Sequence, residues 1–375
     1  MRARIDPDSL PPVPPPVRAT LAETLPPDNL DSEHLEILNL SLSNLLRAEV
    51  AEFTLAQIVD GLPTHLSFAQ SHFGTPEDHP VRGHKELCPG SLEKTREFRA
   101  AFDVMSLRFS PALLQGYQDA KPDSRAFHLR LVEMLAVACH QIAALLFEID
   151  RDNEHRKAYE TWVAEQNRLK AAGDERYQYE EAEPPTVFYH RSYRDHEQYP
   201  RGLPDVVGYW AESKIFGGVV LPDRGESETE CKEIWLDPSH SPGPSTMYSP
   251  TPDQLDEMIK FLLSDPGVAV ECPLPIRASK LNRPRYYRYH ATKYFHIFRD
   301  KYDSRLPAWF IRPDYRRAPV DFPEVEDDRW LLLHTMEAYE NGTPQDEAAV
   351  AAALERLKNI TPSSPFWPLD DTRYK

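Results

Sequence analysis

The densest chemistry-bearing stretch runs from Arg277 to Arg317, where twelve Lys/Arg stand against three Asp, a surplus of nine positive charges. Within it Arg283, Arg285, Arg288 and Lys293 are interleaved with Tyr286, Tyr287, Tyr289, Tyr294 and Phe295, and Arg312, Arg316 and Arg317 follow. Guanidinium groups bind phosphates and aromatic rings stack on bases, so this pattern suits a phosphate- or carboxylate-bearing partner. At helical spacing the same rings form a core stripe, and the arginines then pair with acids of the chain itself. Both readings stand at this point. Just beyond lie Glu324, Glu326, Asp327 and Asp328. Asp327 and Asp328 suit a cationic group, or they complement the positive end of a helix.

Proton-transfer candidates are Asp195 and His196, in the run His190-Arg191-Ser192-Tyr193-Arg194-Asp195-His196, and His290 within the basic stretch. The first two follow an expected strand, and a rigid strand end is a good place from which to aim an acid or base. Four further histidines, His65, His72, His79 and His84, share a Pro/Gly-rich loop with Glu77, Asp78, Glu86 and Cys88. Their spacing matches no zinc finger, so they read as ordinary loop residues and no metal is expected. Cys231 has carboxylates for neighbours, the wrong surroundings for a nucleophilic thiolate. The chain contains no P-loop, GxGxxG, GxSxG or HExxH, which weakens NTPase, dinucleotide, α/β-hydrolase and zincin readings, and no organic cofactor is expected.

Composition narrows the class further. The 375 residues carry 43 Lys+Arg and 60 Asp+Glu, a net charge of −17, so outside 277–317 the chain carries −26. An acidic total argues against a general polyanion binder and leaves the basic stretch as the local exception. Proline (36) is roughly twice its usual share and glycine (14) about half, which disfavours glycine-rich phosphate loops. The four cysteines are far apart and fit reduced thiols in a cytoplasmic protein. Even the most apolar stretch, Leu129–Ile149, carries Arg130, Glu133, His140 and Glu148, so no membrane span is expected. Nor is there an apolar leader behind Met1.

The pattern predicts an α+β chain: a helical N-terminal half, a central antiparallel β-meander with helices, and a helical C-terminus. Residues 1–30 read as a Pro-rich arm, 31–180 as a helical region, 181–322 as the sheet-containing core with the basic stretch 277–317, and 323–375 as helices packed on it. Helices are expected over Ser32–Leu62, Leu92–Leu107, Phe127–Ile149 and a charged Arg151–Ala172, with a bend near Asp150–Asn153. Strands are expected at Thr186–His190, Val206–Trp210, Ile215–Leu221, Glu230–Asp237, Val268–Val270 and Pro307–Arg312, with Ala211–Lys214 as a hairpin connection. Gly217-Gly218 signals a bulge or a close backbone approach. Thr251-Pro252-Asp253-Gln254 has the form of a helix start with a capping box. Arg285–Tyr302, Pro323–Tyr339 and an Ala-rich stretch from Thr343 to about Asn359 complete the helices.

The run Asp205-Val-Val-Gly-Tyr-Trp-Ala-Glu-Ser-Lys-Ile-Phe-Gly-Gly-Val-Val-Leu221, with Asp223-Arg224-Gly225, Cys231 and Leu306–Pro313, resembles a broad set of uncharacterised proteins of filamentous fungi. It covers under a fifth of the chain. Proteins of that kind look like products of secondary-metabolite clusters, and the chain is similar in this to fungal arginine-containing cyclodipeptide synthases, which use aminoacyl-tRNA. That resemblance implies a biosynthetic transferase, with Arg283, Arg285, Arg288, Lys293, Arg312, Arg316 and Arg317 on the polyanion. Asp327 and Asp328 would then hold a guanidinium group, and His196 or His290 would move protons. Two other classes fit the same residues. One is a non-catalytic interaction protein that offers the Pro-rich arm and helix 151–172 to a protein partner. The other is a small-molecule isomerase or cyclase with a pocket near His190, His196 and Trp210.

Overall fold

The computed structural model describes residues 23–72, 74–149, 153–173, 183–227, 229–239, 243–300 and 320–367. The chain has the α+β class expected, with helices on both sides of a small antiparallel sheet in sequence. The first helices are α1 (Ser32–Arg47), α2 (Glu49–Asp60), α3 (His65–Ala69), α4 (Ser91–Ala101) and α5 (Pro111–Gln118). α6 (Arg125–Ile149), α7 (Glu154–Ala171) and α8 (Leu203–Phe216) follow. The sheet is a meander in the order β1 (Val219–Pro222), β2 (Ile234–Asp237), β3 (Met247–Tyr248) and β4 (Arg285–Tyr286). α9 (Pro252–Leu262) lies between β3 and β4, and α10 (Arg288–Phe295), α11 (Glu324–Asn341) and α12 (Glu347–Lys358) complete the elements.

Most helix limits follow from local chemistry. Asp31 accepts the His34 amide to start α1, Ser110 the Leu113 amide to start α5, and Asn153 the His155 and Arg156 amides to start α7. The Asn153 cap supplies the break expected between the apolar helix and the charged one. At α9 the Thr251 hydroxyl accepts the Gln254 amide while the Gln254 side chain accepts the Thr251 amide. Gln254 also reaches the Arg277 carbonyl (3.1 Å) and Asn282 (2.7 Å), so this cap fixes where the basic stretch begins. Thr251→Ala is expected to cost about 1 kcal/mol in urea unfolding, and Thr251→Ser much less. Equal losses in the two variants would show that the cap contributes nothing.

The largest departure is α8. Val206–Trp210 is helical, not a strand, and so is the intended hairpin at Ala211–Lys214. Val207, Trp210, Ala211 and Ile215 join the main core with α6, while Val206 and Tyr209 join a second, tyrosine-rich cluster beneath the sheet. A helix buried on both sides loses the 3.6-residue alternation that marks one half-exposed. Thr186–His190 and Val268–Val270 are irregular, and β1 starts only at Val219. The basic helix expected over Arg285–Tyr302 is a two-residue strand followed by α10, which His296 ends in the left-handed region at φ 54°. α12 starts at Asp346, whose side chain accepts the Ala349 amide, rather than at Thr343. Pro307–Arg312 lies outside the described residues.

The expected domain limits shift too. Leu25 exchanges backbone hydrogen bonds with Phe109 and Leu30 is buried, so the end of the supposed arm is docked. One core runs from Leu30 to Ile276, across the boundary expected at residue 180. α11 and α12 hold a small core of their own around Leu331, Ala353 and Leu357. Among the described residues one helix, α6, is long and apolar enough to cross a membrane by length and composition, contrary to expectation. Its window is 72% buried, and α1, α2, α5, α8, β1 and β2 all contact it.

Candidate functional site

The sequence-derived candidates do not assemble into one site. Asp195 and His196 are partly exposed at a short 3-10 turn (His196–Gln198), while His290 sits on α10 with Nδ1 2.8 Å from Ser363 Oγ. Burial lowers the His290 pKa. Among the described residues no hydrogen bond joins His290 to the other two.

Arg283, Arg285 and Arg288 of the basic stretch are engaged with the chain itself, while Arg277 is exposed. Arg283 donates to Asp327 Oδ2 (2.8 Å) and to the Lys280 carbonyl. Arg285 is buried, donates to the Asn282 and Ser279 carbonyls (2.6 and 2.7 Å), and burial pulls its pKa down to about 10. Arg288 donates to buried Asp237 (2.9 Å) and lies over the Tyr193 ring at 3.8 Å. Asp327, expected to hold a cationic ligand, takes Arg283 and Arg356 of its own chain. Asp328 is buried in the first turns of α11. The Lys293 side chain and Arg312, Arg316 and Arg317 lie outside the described residues. Of the two readings of this stretch, internal ion pairing is what Arg283 and Arg288 do; Arg285 is bonded to backbone carbonyls, and Arg277 is left exposed.

Two groupings that spacing did not reveal are built on α8. The first is a buried charge network. Glu212 Oε1 meets His140 Nδ1 (2.8 Å) and Arg299 (2.7 Å), and His140 Nε2 meets Asp205 Oδ1 (3.1 Å). Gly208 permits this approach, because a Cβ there would overlap the His140 ring. Burial disfavours a charged His140, but Asp205 and Glu212 outweigh it and raise its pKa. Arg224 extends the network by pairing with Glu133 (2.8 Å) and donating to the Phe298 and Arg299 carbonyls. These bonds tie α6, α8 and residues 296–300 together.

The second grouping is cationic and lacks acids. Lys214, in the last turn of α8, donates to the Ser67 carbonyl (2.6 Å) and to Ser71 Oγ (2.7 Å), both uncharged. Its amine is 5.9 Å from the Trp210 ring. Burial, and then the charge of exposed Arg277, lower its pKa to about 7. His72 stacks on Phe68 at 4.0 Å and meets Tyr189 edge-on at 4.8 Å. Burial lowers its pKa to about 4, with Lys214 and Arg194 adding to the shift. Arg194 covers the other ring in this group, Tyr189, at 5.5 Å. Among the described residues neither Lys214 nor Arg277 forms an ion pair with a carboxylate. An amine half neutral at pH 7 serves as a base or nucleophile, and an exposed guanidinium beside it attracts an anion.

No protein-family model, curated protein or solved structure matches the chain.

Proposed function

We propose that the chain is a biosynthetic enzyme, working without an organic cofactor, that binds an anionic substrate at Arg277 and uses the Lys214 amine for proton transfer. What supports this reading is the setting of Lys214: an amine held by the Ser67 carbonyl and the Ser71 hydroxyl, with no carboxylate on it among the described residues, and with its pKa lowered to about 7 by burial and the charge of Arg277. Groups tuned this far from their ordinary range concentrate where chemistry is done. The reaction class that fits is aminolysis of a carboxylic ester. A substrate amine attacks the carbonyl carbon and the C–N bond forms. Its proton passes to Lys214, the C–O bond breaks, and the proton moves on to the departing alkoxide. Arg277 would hold a phosphate or carboxylate of the substrate. An aminoacyl-tRNA is the phosphate-rich member of this class, in line with the transferase expected from the resemblance.

Competitive labelling with acetic anhydride, read peptide by peptide across pH, tests the assignment. Lys214 should titrate near pH 7 while exposed lysines titrate near their ordinary value, about 10.4. Phosphate, a small carboxylate or tRNA should slow its labelling, and Arg277→Ala should remove that protection. Protection by tRNA alone would identify the aminoacyl-tRNA class. A Lys214 midpoint above pH 9.5, or no protection by any of the three, would overturn the proposal. Stability offers a check with a defined sign. Below pH 7 Lys214 is charged in both states and the cost of burying that charge is felt in full. The cost fades as the unfolded lysine alone remains protonated, between about 7 and the ordinary lysine value of 10.5. Urea stability relative to Lys214→Met should therefore rise with pH across that window.

A further inference from the structure

Far from Lys214 in the chain, four side chains of different kinds converge on one point. Asp60 is the last residue of α2, His84 follows the 3-10 turn Pro80–Gly83, Cys88 lies four residues on, and His155 is in the first turn of α7. One carboxylate oxygen, one sulfur and one nitrogen of each imidazole all lie within 4.8 Å of one another. We propose that Asp60, His84, Cys88 and His155 form a zinc site that clamps the 63–90 loop onto α2 and α7.

The orientation of the rings argues for a metal rather than a chance gathering. His84 Nδ1 is 2.9 Å from the Pro63 carbonyl and His155 Nδ1 is 3.1 Å from the Asp60 carbonyl. A carbonyl only accepts, so each Nδ1 carries its proton and each Nε2 presents a lone pair when the ring is neutral. His84 Nε2 is 2.9 Å from Asp60 Oδ2 and His155 Nε2 is 3.9 Å from Cys88 Sγ, while His155 Nδ1 also lies 3.6 Å from Asp60 Oδ1 and must keep its bond to the Asp60 carbonyl for Nε2 to be the ligand. Metal-bound histidines are held in this way, with the far N–H on a carbonyl and the near nitrogen on the ion. The Cys88 amide donates to Asp60 Oδ2 (2.9 Å) and sets the carboxylate. Zinc bonds of about 2.0–2.3 Å in a tetrahedron give ligand–ligand edges of roughly 3.3–3.8 Å, within the span of this group.

A protonated His84 paired with Asp60 would explain the 2.9 Å contact. It would not bring a thiol and a second imidazole, from separate elements, to the same spot. The donor set of two nitrogens, one sulfur and one oxygen is one that zinc takes readily and magnesium or calcium does not. Four protein ligands fill a tetrahedron, so the ion is structural. It would add a fixed point to a Pro- and Gly-rich loop that is otherwise anchored through Phe68 and Val81.

The test is elemental analysis of the untagged full-length protein, dialysed after incubation with zinc chloride, together with the absorption spectrum of the cobalt(II)-loaded form. The expected result is one zinc per chain and a cobalt spectrum with tetrahedral d–d bands and thiolate charge transfer. Cys88→Ser should abolish the charge-transfer band, and Cys88→Ser with His155→Ala should weaken binding by at least ~100-fold, beyond the range for lost supporting contacts. These partly or fully exposed ligands are chosen because buried Asp60 and His84 also hold the fold. A wild-type protein with well under 0.1 zinc per chain, or a double variant that keeps its full complement, would overturn the proposal. Neither result depends on Lys214.

Discussion

Glu212→Ala is expected to destabilise the protein by about 3–5 kcal/mol, the range for removing one partner of a buried ion pair. Glu212 is fully buried and holds His140, Arg299 and, more loosely, the Val220 amide. Without it the buried Arg299 guanidinium loses its 2.7 Å acid and keeps Asp300 at 3.6 Å, and Asp205 is left as the acid on His140. Glu212→Gln separates charge from shape: it retains an acceptor but not the negative charge, and should fall between wild type and alanine. Urea unfolding monitored by tryptophan fluorescence measures all three. A loss below 1 kcal/mol for the alanine variant would mean that the network is not stabilising. The expected loss concerns breakage and not the worth of the network as a whole, since an apolar replacement of every member together need not be harmful.

Gly217→Ala is expected to cost on the order of 3 kcal/mol or more, and to leave little folded protein at 37 °C. Gly217 ends α8 at φ 97°, which an L-residue adopts at a cost of roughly 1–2 kcal/mol. A Cβ there would also overlap the Ile276 carbonyl oxygen, a backbone atom that cannot swing away. That carbonyl is fixed by the Tyr248 hydroxyl (3.0 Å), and the Ile276 amide is bonded to the Phe216 carbonyl (3.0 Å). Gly267→Ala carries the first effect alone, so the difference between the two variants measures the second. Gly267 has nearly the same φ, 95°, but open space where its Cβ would be. Equal losses at the two positions would show that the overlap is relieved at no cost.

Legibility of the chain followed exposure. Elements with one wet face, such as α1 and α9, declared themselves through period and caps, and the close approach signalled by Gly217-Gly218 is real. α8 did not, because Val206, Val207, Tyr209 and Trp210 are β-branched or aromatic and are buried on both sides. The usable signal was at its ends: Pro204 in the first turn and Gly217 at the stop. Read as a hairpin connection, Ala211–Lys214 gives no hint that Glu212 and Lys214 are held inside the fold. The His/Cys loop was noticed, but His84 and Cys88 find their partners at Asp60 and His155, which no local spacing could bring together. Charge marks the basic stretch. What charge alone could not tell was the direction in which Arg283, Arg285 and Arg288 point.

The dependence of α6 on α8 also sets a schedule for synthesis. A ribosome adding ~5–20 residues per second completes α6 and then takes several seconds to reach the end of α8. During that interval the 25-residue apolar helix has its earlier neighbours α1, α2 and α5 but not the partner that covers its remaining side. The nascent chain is therefore most prone to aggregation, or to capture by chaperones, while the charged stretch of α7 is emerging.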